Sequence, residues 1–327
     1  MSNRIVAPSP HLHGEFSTPK IMRDVVIALI PAFAFSVFIY GWSAICLTAT
    51  AIAACMLFEW LIDRLLLRRP STLGDWSAVI TGTLLAFNLP ANISPWLVII
   101  GALVAIGIGK MSFGGLGKNL FNPALVGRVF LLISFPAQMT TFPDTAGVDA
   151  ITGATPLAYV KAALATGTPV AEIMPNIDLA GMFIGFKDGS IGEIGALALL
   201  IGGIYLLVRK VITWRIPVFM LGSMFLFAAI LWLADPVTYI NPLFHVLAGG
   251  ALLGAFFMAT DYVTSPMSKG GQVIYAIGIG VISILIRVWG AYPEGVSFAI
   301  LIMNATVPLI NKYMKPSRFG ARTAQTK

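Results

Sequence analysis

Ten apolar runs follow one another along this chain, near residues 25–40, 43–63, 76–89, 96–109, 119–134, 191–208, 216–234, 243–259, 272–289 and 296–312. A helix rises about 1.5 Å per residue and a bilayer's hydrocarbon core is about 30 Å thick, so runs of this length enter or cross it. In hydrocarbon every backbone N–H and C=O must be satisfied within its segment or within a closed barrel. These runs are too long and too little alternating for barrel strands. The expected fold is therefore an all-α, polytopic membrane protein of about ten transmembrane helices. Composition agrees: 57% of residues are hydrophobic and 11% charged, where a soluble domain has about 25% charged residues.

Two of the runs, 76–89 and 119–134, are short and interrupted by Asn88-Leu89-Pro90, by Asn119 and by Asn122-Pro123. Such segments behave as half-helices that line a cavity rather than face lipid. The stretch from Thr81 to Phe87 resembles Gly250 to Phe256, and Ala105-Ile-Gly-Ile-Gly resembles Ala276-Ile-Gly-Ile-Gly. The copies lie five crossings apart, and an odd offset inverts the second relative to the first, as in transport proteins built from inverted repeats. The organisation read from this is an arm at 1–24, a five-helix repeat at 25–134, a long loop at 135–190, a second five-helix repeat at 191–314 and a tail at 315–327.

The charges set the orientation. The net charge is +7, yet the basic residues are scattered between apolar runs with no aromatic-interleaved stripe, which argues against a nucleic-acid partner. With the N-terminus inside, all but Arg128, Lys161, Lys187 and Arg287 of the 21 Lys and Arg residues fall on the cytoplasmic side. Both termini are expected there, the 135–190 loop on the outer face, and no secretory leader is evident in residues 1–24. Cys46 and Cys55 are too few for an iron–sulfur cluster or closed zinc site, and His245 is the only histidine in an apolar run, so a bis-histidine haem is not available within the chain. No metal site is expected, which leaves organic cofactors, ions or solutes.

The long loop contains Asp149-Ala-Ile-Thr152-Gly153-Ala154-Thr155-Pro156. By itself this is a turn, with Gly153 free to take a positive φ and Pro156 holding Thr155 extended. The Thr-Gly-Ala-Thr sequence after Asp149 also resembles the acceptor site at which a flavin transferase joins FMN to a threonine hydroxyl through phosphate. The match puts the bond on Thr155, which the extended backbone would present outward. Its context is Gly114 to Phe130 (GGLGKNLFNPALVGRVF), Phe257 to Pro266 (FMATDYVTSP) and Ser-Pro-His at 9–11. Together these resemble, in order and over nearly the whole chain, the family of RnfD of the Rnf complex and NqrB of the sodium-pumping quinone reductase.

That resemblance implies covalent FMN at Thr155 on the outer face and a noncovalent riboflavin nearer the cytoplasm, at Asn119 and Asn122. It implies a prokaryotic cytoplasmic (inner) membrane, further membrane and peripheral subunits, and a flavin transferase for maturation. It also implies an electron-transfer role in ferredoxin:NAD oxidation–reduction coupled to sodium or proton movement. The short arm favours the RnfD type over an NqrB-type quinone reductase component, and a channel or transporter without redox activity is the rival reading. Several residues carry two readings. Asn119 and Asn122 would hold the flavin edge or cap a helix broken at Pro123. Arg128 would pair with a carboxylate or steady a reduced flavin. Ser190, three residues before Glu193, reads as a capping box opening the sixth crossing, whose free amides would cap or receive a flavin phosphate. Glu59, Asp63 and Asp261 would line an ion path, or be solvated helix ends partnered by Arg64 and Lys269.

Overall fold

The computed structural model describes residues 17–143, 152–153, 155–185 and 187–315. Each of the ten expected segments contains helix. The first half holds α1 (Thr18–Tyr40), α2 (Trp42–Leu66), α3 (Ser77–Phe87), α4 (Pro95–Phe113) and α5 (Pro123–Ser134). The connecting loop carries four short helices, α6 (Pro136–Thr140), α7 (Pro156–Ala165), α8 (Val170–Ile173) and α9 (Leu179–Ile184), with a two-residue antiparallel ladder of β1 (Phe142–Pro143) and β2 (Thr152–Gly153). The second half holds α10 (Ala196–Val208), α11 (Arg215–Ala234), α12 (Pro242–Leu247), α13 (Ala251–Leu253, continuing as Gly254–Met258), α14 (Lys269–Trp289) and α15 (Val296–Tyr313). Six helices, α1, α2, α4, α11, α14 and α15, are long and apolar enough to span a membrane. Large side chains such as Phe38, Leu66, Val208 and Leu233 stay exposed on them or beside them, as a lipid-facing surface requires.

Packing between the halves is two-fold. In the first half α2 packs on α3 and α4; in the second α11 packs on α12 and α14; α1 meets α10 and α5 meets α15 across the middle. The α5–α15 contact is reciprocal at the level of side chains. Arg128 on α5 donates to Ser297 and Glu294 at the start of α15. Asn304 on α15, its carboxamide oriented to suit its neighbours, accepts from the backbone N of Asn122 at the start of α5 at 3.1 Å.

Broken helices number three among the described residues, one more than the two interrupted runs of the sequence. At 11 and 12 residues, α3 and α5 are about 17–18 Å long, roughly half a bilayer core. The third break lies inside 243–259, a single crossing by its apolar pattern. There α12 stops at Leu247, Ala248 is extended and Gly249 turns at φ +67°. A Cβ at Gly249 would come within 2.8 Å of both Arg287 Nη2 and Leu157 Cδ1. The Arg287 guanidinium supplies the reason for the break: it donates to the freed carbonyls of His245 and, at 2.9 Å, Ala248.

The outer loop is docked rather than loose. Leu157, Val160, Val170, Ile173 and Met182 bury against Ile240, Phe244 and Leu247 of the second half. Helix α3 reaches its depth because Gly82 lets its backbone approach α2; a Cβ there would sit 2.7 Å from Ile52 Cα and 2.9 Å from Ala51 O. Gly82→Ala should therefore cost about 1–3 kcal/mol through overpacking, seen as a lower unfolding temperature in detergent. Gly222→Ala on α11, where a Cβ meets nothing within 4 Å, should leave that temperature unchanged or raise it.

Candidate functional site

Two clefts lie at opposite ends of α3: Asn88, just past its C-terminus, lines one, and Ser77, its first residue, lines the other. The length of α3 keeps these ends about 17 Å apart.

The first cleft is formed by Asn88, Arg128, Thr140, Phe142, Thr155 and Glu294 among others. Thr155 is the N-cap of α7, extended at φ −55° and ψ 149°, because the following Pro156 excludes helical backbone at this position. Its Oγ1 accepts from Ala158 N at 3.2 Å. Thr155 is only 3% exposed, so the expected outward display is corrected: it lies in a cleft that Phe142 of β1 and Ala158 of α7 also line. A phosphate on Oγ1 would replace the hydroxyl proton and leave the capping oxygen in place. It would lie at the positive end of a ten-residue helix. Arg128 is 6% exposed; its Nη atoms are taken by Glu294 and Ser297, while its Nε is buried without a partner. The carboxylate-pairing reading of Arg128 therefore holds, with one donor to spare. Of the other motif residues, Thr152 and Gly153 pair with Pro143 and Phe142, and Asp149 and Ala154 lie outside the described residues.

Ser190 does not open a helix, because α10 begins at Ala196 with Gly195 as its N-cap. Ser190 Oγ instead donates to Glu193 Oε2 at 3.0 Å inside a tight turn. The turn's amides, which the capping-box spacing would offer to a phosphate, are already used. Ile191 N donates to Leu89 O (3.1 Å), Gly192 N to Phe87 O (2.9 Å) and Glu193 N to Ser190 O (2.9 Å). The physical reason is the broken end of α3, whose carbonyls would otherwise face a dry interior.

The second cleft lies at the Ser77 end of α3. It is lined by Ser77, Leu84, Lys110, Asn119, Asn122, Phe257 and Asp261, and opens past Ile21, Met22 and Val25 of α1. Asn122 is committed to structure: its Oδ1 accepts from Ala124 N (3.1 Å) and Leu125 N (3.4 Å), and its Nδ2 donates to Met258 O (3.2 Å), a carbonyl at the end of α13. Asn119 is different. Its Nδ2 donates to Phe121 O at 3.1 Å while its Oδ1 is buried with no partner. Asp261 accepts from Thr264 Oγ1 and Val263 N; burial raises its carboxyl above the usual range against the pull of those bonds.

Lys110 counts as a cytoplasmic surface charge in the sequence pattern, but it is 2% exposed. Its Nζ lies 2.6 Å from Glu59 Oε2 and 2.5 Å from Ser77 Oγ. Glu59 and Asp63 are fully buried, and the partners expected for them are replaced. Glu59 takes Lys110 and, at 2.7 Å, the Thr72 hydroxyl; Asp63 takes Arg69 Nε at 2.7 Å and Thr72 N at 3.0 Å. The sequence around Lys110 carries no signal of this burial, since the end of an apolar run is where a surface cation ordinarily sits. No cluster of metal-ligating side chains occurs among the described residues.

The family described as NQR2, RnfD, RnfE matches residues 5–320 of this chain. The D subunit of a Na(+)-translocating ferredoxin:NAD(+) oxidoreductase complex from Acetobacterium woodii is 45% identical to it, over 97% of this chain and 96% of that one. The D subunit of a proton-translocating ferredoxin:NAD(+) oxidoreductase complex from Clostridium ljungdahlii is 43% identical over 97% and 96%. The D subunit of an ion-translocating oxidoreductase complex from Stutzerimonas stutzeri is 40% identical over 93% and 92%.

The pairing beside the second cleft is open to test. Lys110→Met, which strands the Glu59 carboxylate, should destabilise by about 3–5 kcal/mol, and Lys110→Met combined with Glu59→Gln should recover most of that loss. Unfolding temperatures of the two variants beside wild type decide it.

Proposed function

Because the chain belongs to the NQR2, RnfD, RnfE family, we propose that it is the RnfD-type component of an ion-translocating ferredoxin:NAD oxidoreductase complex, with FMN joined through phosphate to Thr155 and riboflavin held at Asn119. The chain is a multi-pass membrane protein and one subunit of an oxidoreductase, not a complete enzyme. The observation that carries the cofactor reading is the placing of Thr155 at a helix N-terminus in the same cleft as Arg128, whose Nε is unpartnered. Bound flavins supply one- and two-electron chemistry.

The residues of this chain bind and orient. Thr155 would give the covalent anchor, the positive end of α7 and the Arg128 guanidinium would favour the negative phosphate, and the Arg128–Glu294 pair fixes the guanidinium in place. At the other end of α3, Asn119 Oδ1 accepts an N–H from a flavin edge. Ser77 and the Lys110 ammonium stand beside it, and Leu84 and Phe257 flank a planar ring. Both clefts are narrow as folded, about 30 Å³ around Thr155 and about 90 Å³ around Asn119. To hold a flavin ring, both clefts would have to widen, the first beside Phe142 and Ala158 and the second beside Ile21, Met22 and Val25. The burial of Thr155 puts transfer of the flavin before closure of that loop.

The remaining elements of the proposal follow from orientation and kinship. Both termini and the basic face are cytoplasmic, Thr155 lies towards the outer face of the prokaryotic inner membrane, and a flavin transferase acts on the loop during maturation. Further membrane and peripheral subunits complete the electron path. One relative's name carries sodium and another's the proton, so kinship leaves the transported ion open.

Intact mass of the denatured chain, produced together with a flavin transferase, tests the anchor. Wild type should carry one FMN, Thr155→Val none, and Thr155→Ser, which keeps the hydroxyl, a measurable fraction. A wild-type chain of unmodified mass under those conditions contradicts the proposal.

A further inference from the structure

A third cavity, of about 440 Å³, runs along α7 and adjoins the Thr155 cleft at Pro293. Its walls are apolar and aromatic: Leu157, Val160 and Leu164 of α7, Phe244 of α12, and Trp289 with Tyr239 at the rim. Two side chains with no use in the functions above line this cavity and hold buried polar atoms without a hydrogen-bond partner. His245 is nine-tenths buried and its Nδ1 has no hydrogen-bond partner; Arg287 is 5% exposed and its Nε has none. Arg287 spends its Nη atoms on the carbonyls of His245 and Ala248, which leaves Nε as a fixed, charged donor. Lys161 adds a second cation, held by the carbonyls of Gly290 and Tyr292. Among the described residues, no carboxylate lines the cavity. The buried carboxylates Glu193 and Glu294 on this side are engaged by Ser190 and Arg128.

The position of the cavity narrows its occupant. Trp289 is the last residue of the membrane span α14, is 57% exposed, and meets Tyr239 edge-on with ring centroids 6.4 Å apart. A Trp–Tyr pair at the end of a span marks the depth of lipid headgroups. A cavity there with cationic donors at its base and hydrocarbon walls matches a molecule with an anionic head and an apolar body.

We propose that this cavity binds one anionic phospholipid from the outer leaflet, its phosphodiester taken by the Arg287 guanidinium, His245 and Lys161 and its acyl chains lying along α7 and Trp289. The bound lipid would fasten α7, and with it the Thr155 loop, to α12 and α14. The site adjoins the Thr155 cleft at Pro293, and its lining does not include Thr155.

Native mass spectrometry of the purified complex in nanodiscs tests this. With phosphatidylglycerol present, wild type should retain one such lipid on this chain, in preference to phosphatidylcholine, and millimolar inorganic phosphate should not displace it. His245→Leu and Lys161→Met, both of which leave the Arg287 bonds to the His245 and Ala248 carbonyls in place, should each weaken retention by roughly tenfold or more, as loss of a hydrogen bond to a charged group does. Unfolding temperatures in detergent should stay close to that of wild type, which shows that both variants fold. Equal retention in wild type and both variants, displacement by inorganic phosphate, or no preference for the anionic lipid overturns the proposal. So does a His245→Leu variant that keeps its lipid but shifts the flavin absorption spectrum, because the cavity then houses the tethered ring.

Discussion

Everything in this structure depends on how backbone groups are satisfied where helices stop inside the membrane. A helix that ends in hydrocarbon leaves N–H and C=O groups whose exposure costs several kcal/mol each. Three devices remove that cost here. Asn122 caps the start of α5 with one side-chain atom and takes the carbonyl of Met258 with another. The 190–193 turn lays its amides on the carbonyls of Phe87 and Leu89 at the end of α3. Arg287 fills the break between α12 and α13. The first two devices join one half of the chain to the other, so the breaks lock the halves together, and the clefts form where the half-helices end.

The same economy governs charge. Among the described residues, the buried carboxylates Glu59, Asp63 and Glu294 each have a cationic partner, and Glu193 has a hydroxyl. Pairs of this kind do not by themselves add stability over a well-packed apolar core, yet losing one member is costly. Their worth here is in position: Lys110 and Ser77 are fixed at one end of α3, Arg128 and Glu294 at the other. The donors left over at these sites, Arg128 Nε among them, are where ligand chemistry has an opening.

The scaffold is legible in the sequence because ten apolar runs leave few alternatives once lipid is the solvent. The extended backbone of Thr155 is legible too, through Pro156, whose restriction on backbone geometry survives in the folded N-cap. Features set by partners far away in the chain are hidden. Ala248-Gly249-Gly250 looks like helix-packing glycine until Arg287, some 40 residues on, fills the gap. Ser190 and Glu193 have capping-box spacing, but the helix end they serve is that of α3, about a hundred residues earlier. Lys110 has the look of a surface cation, since nothing local says that Glu59 waits below it. The burial of Thr155 depends on a ladder and a helix that only the fold brings together.

Two flavins at the two ends of α3, one tethered and one free, are the core of the proposed function. The most direct measurement is a cryo-electron microscopy map of the mature complex at side-chain resolution. Density continuous with Thr155 Oγ1 and in contact with Arg128 is predicted, with a separate planar density against Asn119 and Lys110. Density on Thr155 that leaves Arg128 untouched, or a cleft at Asn119 filled only by side chains of the protein, would contradict it.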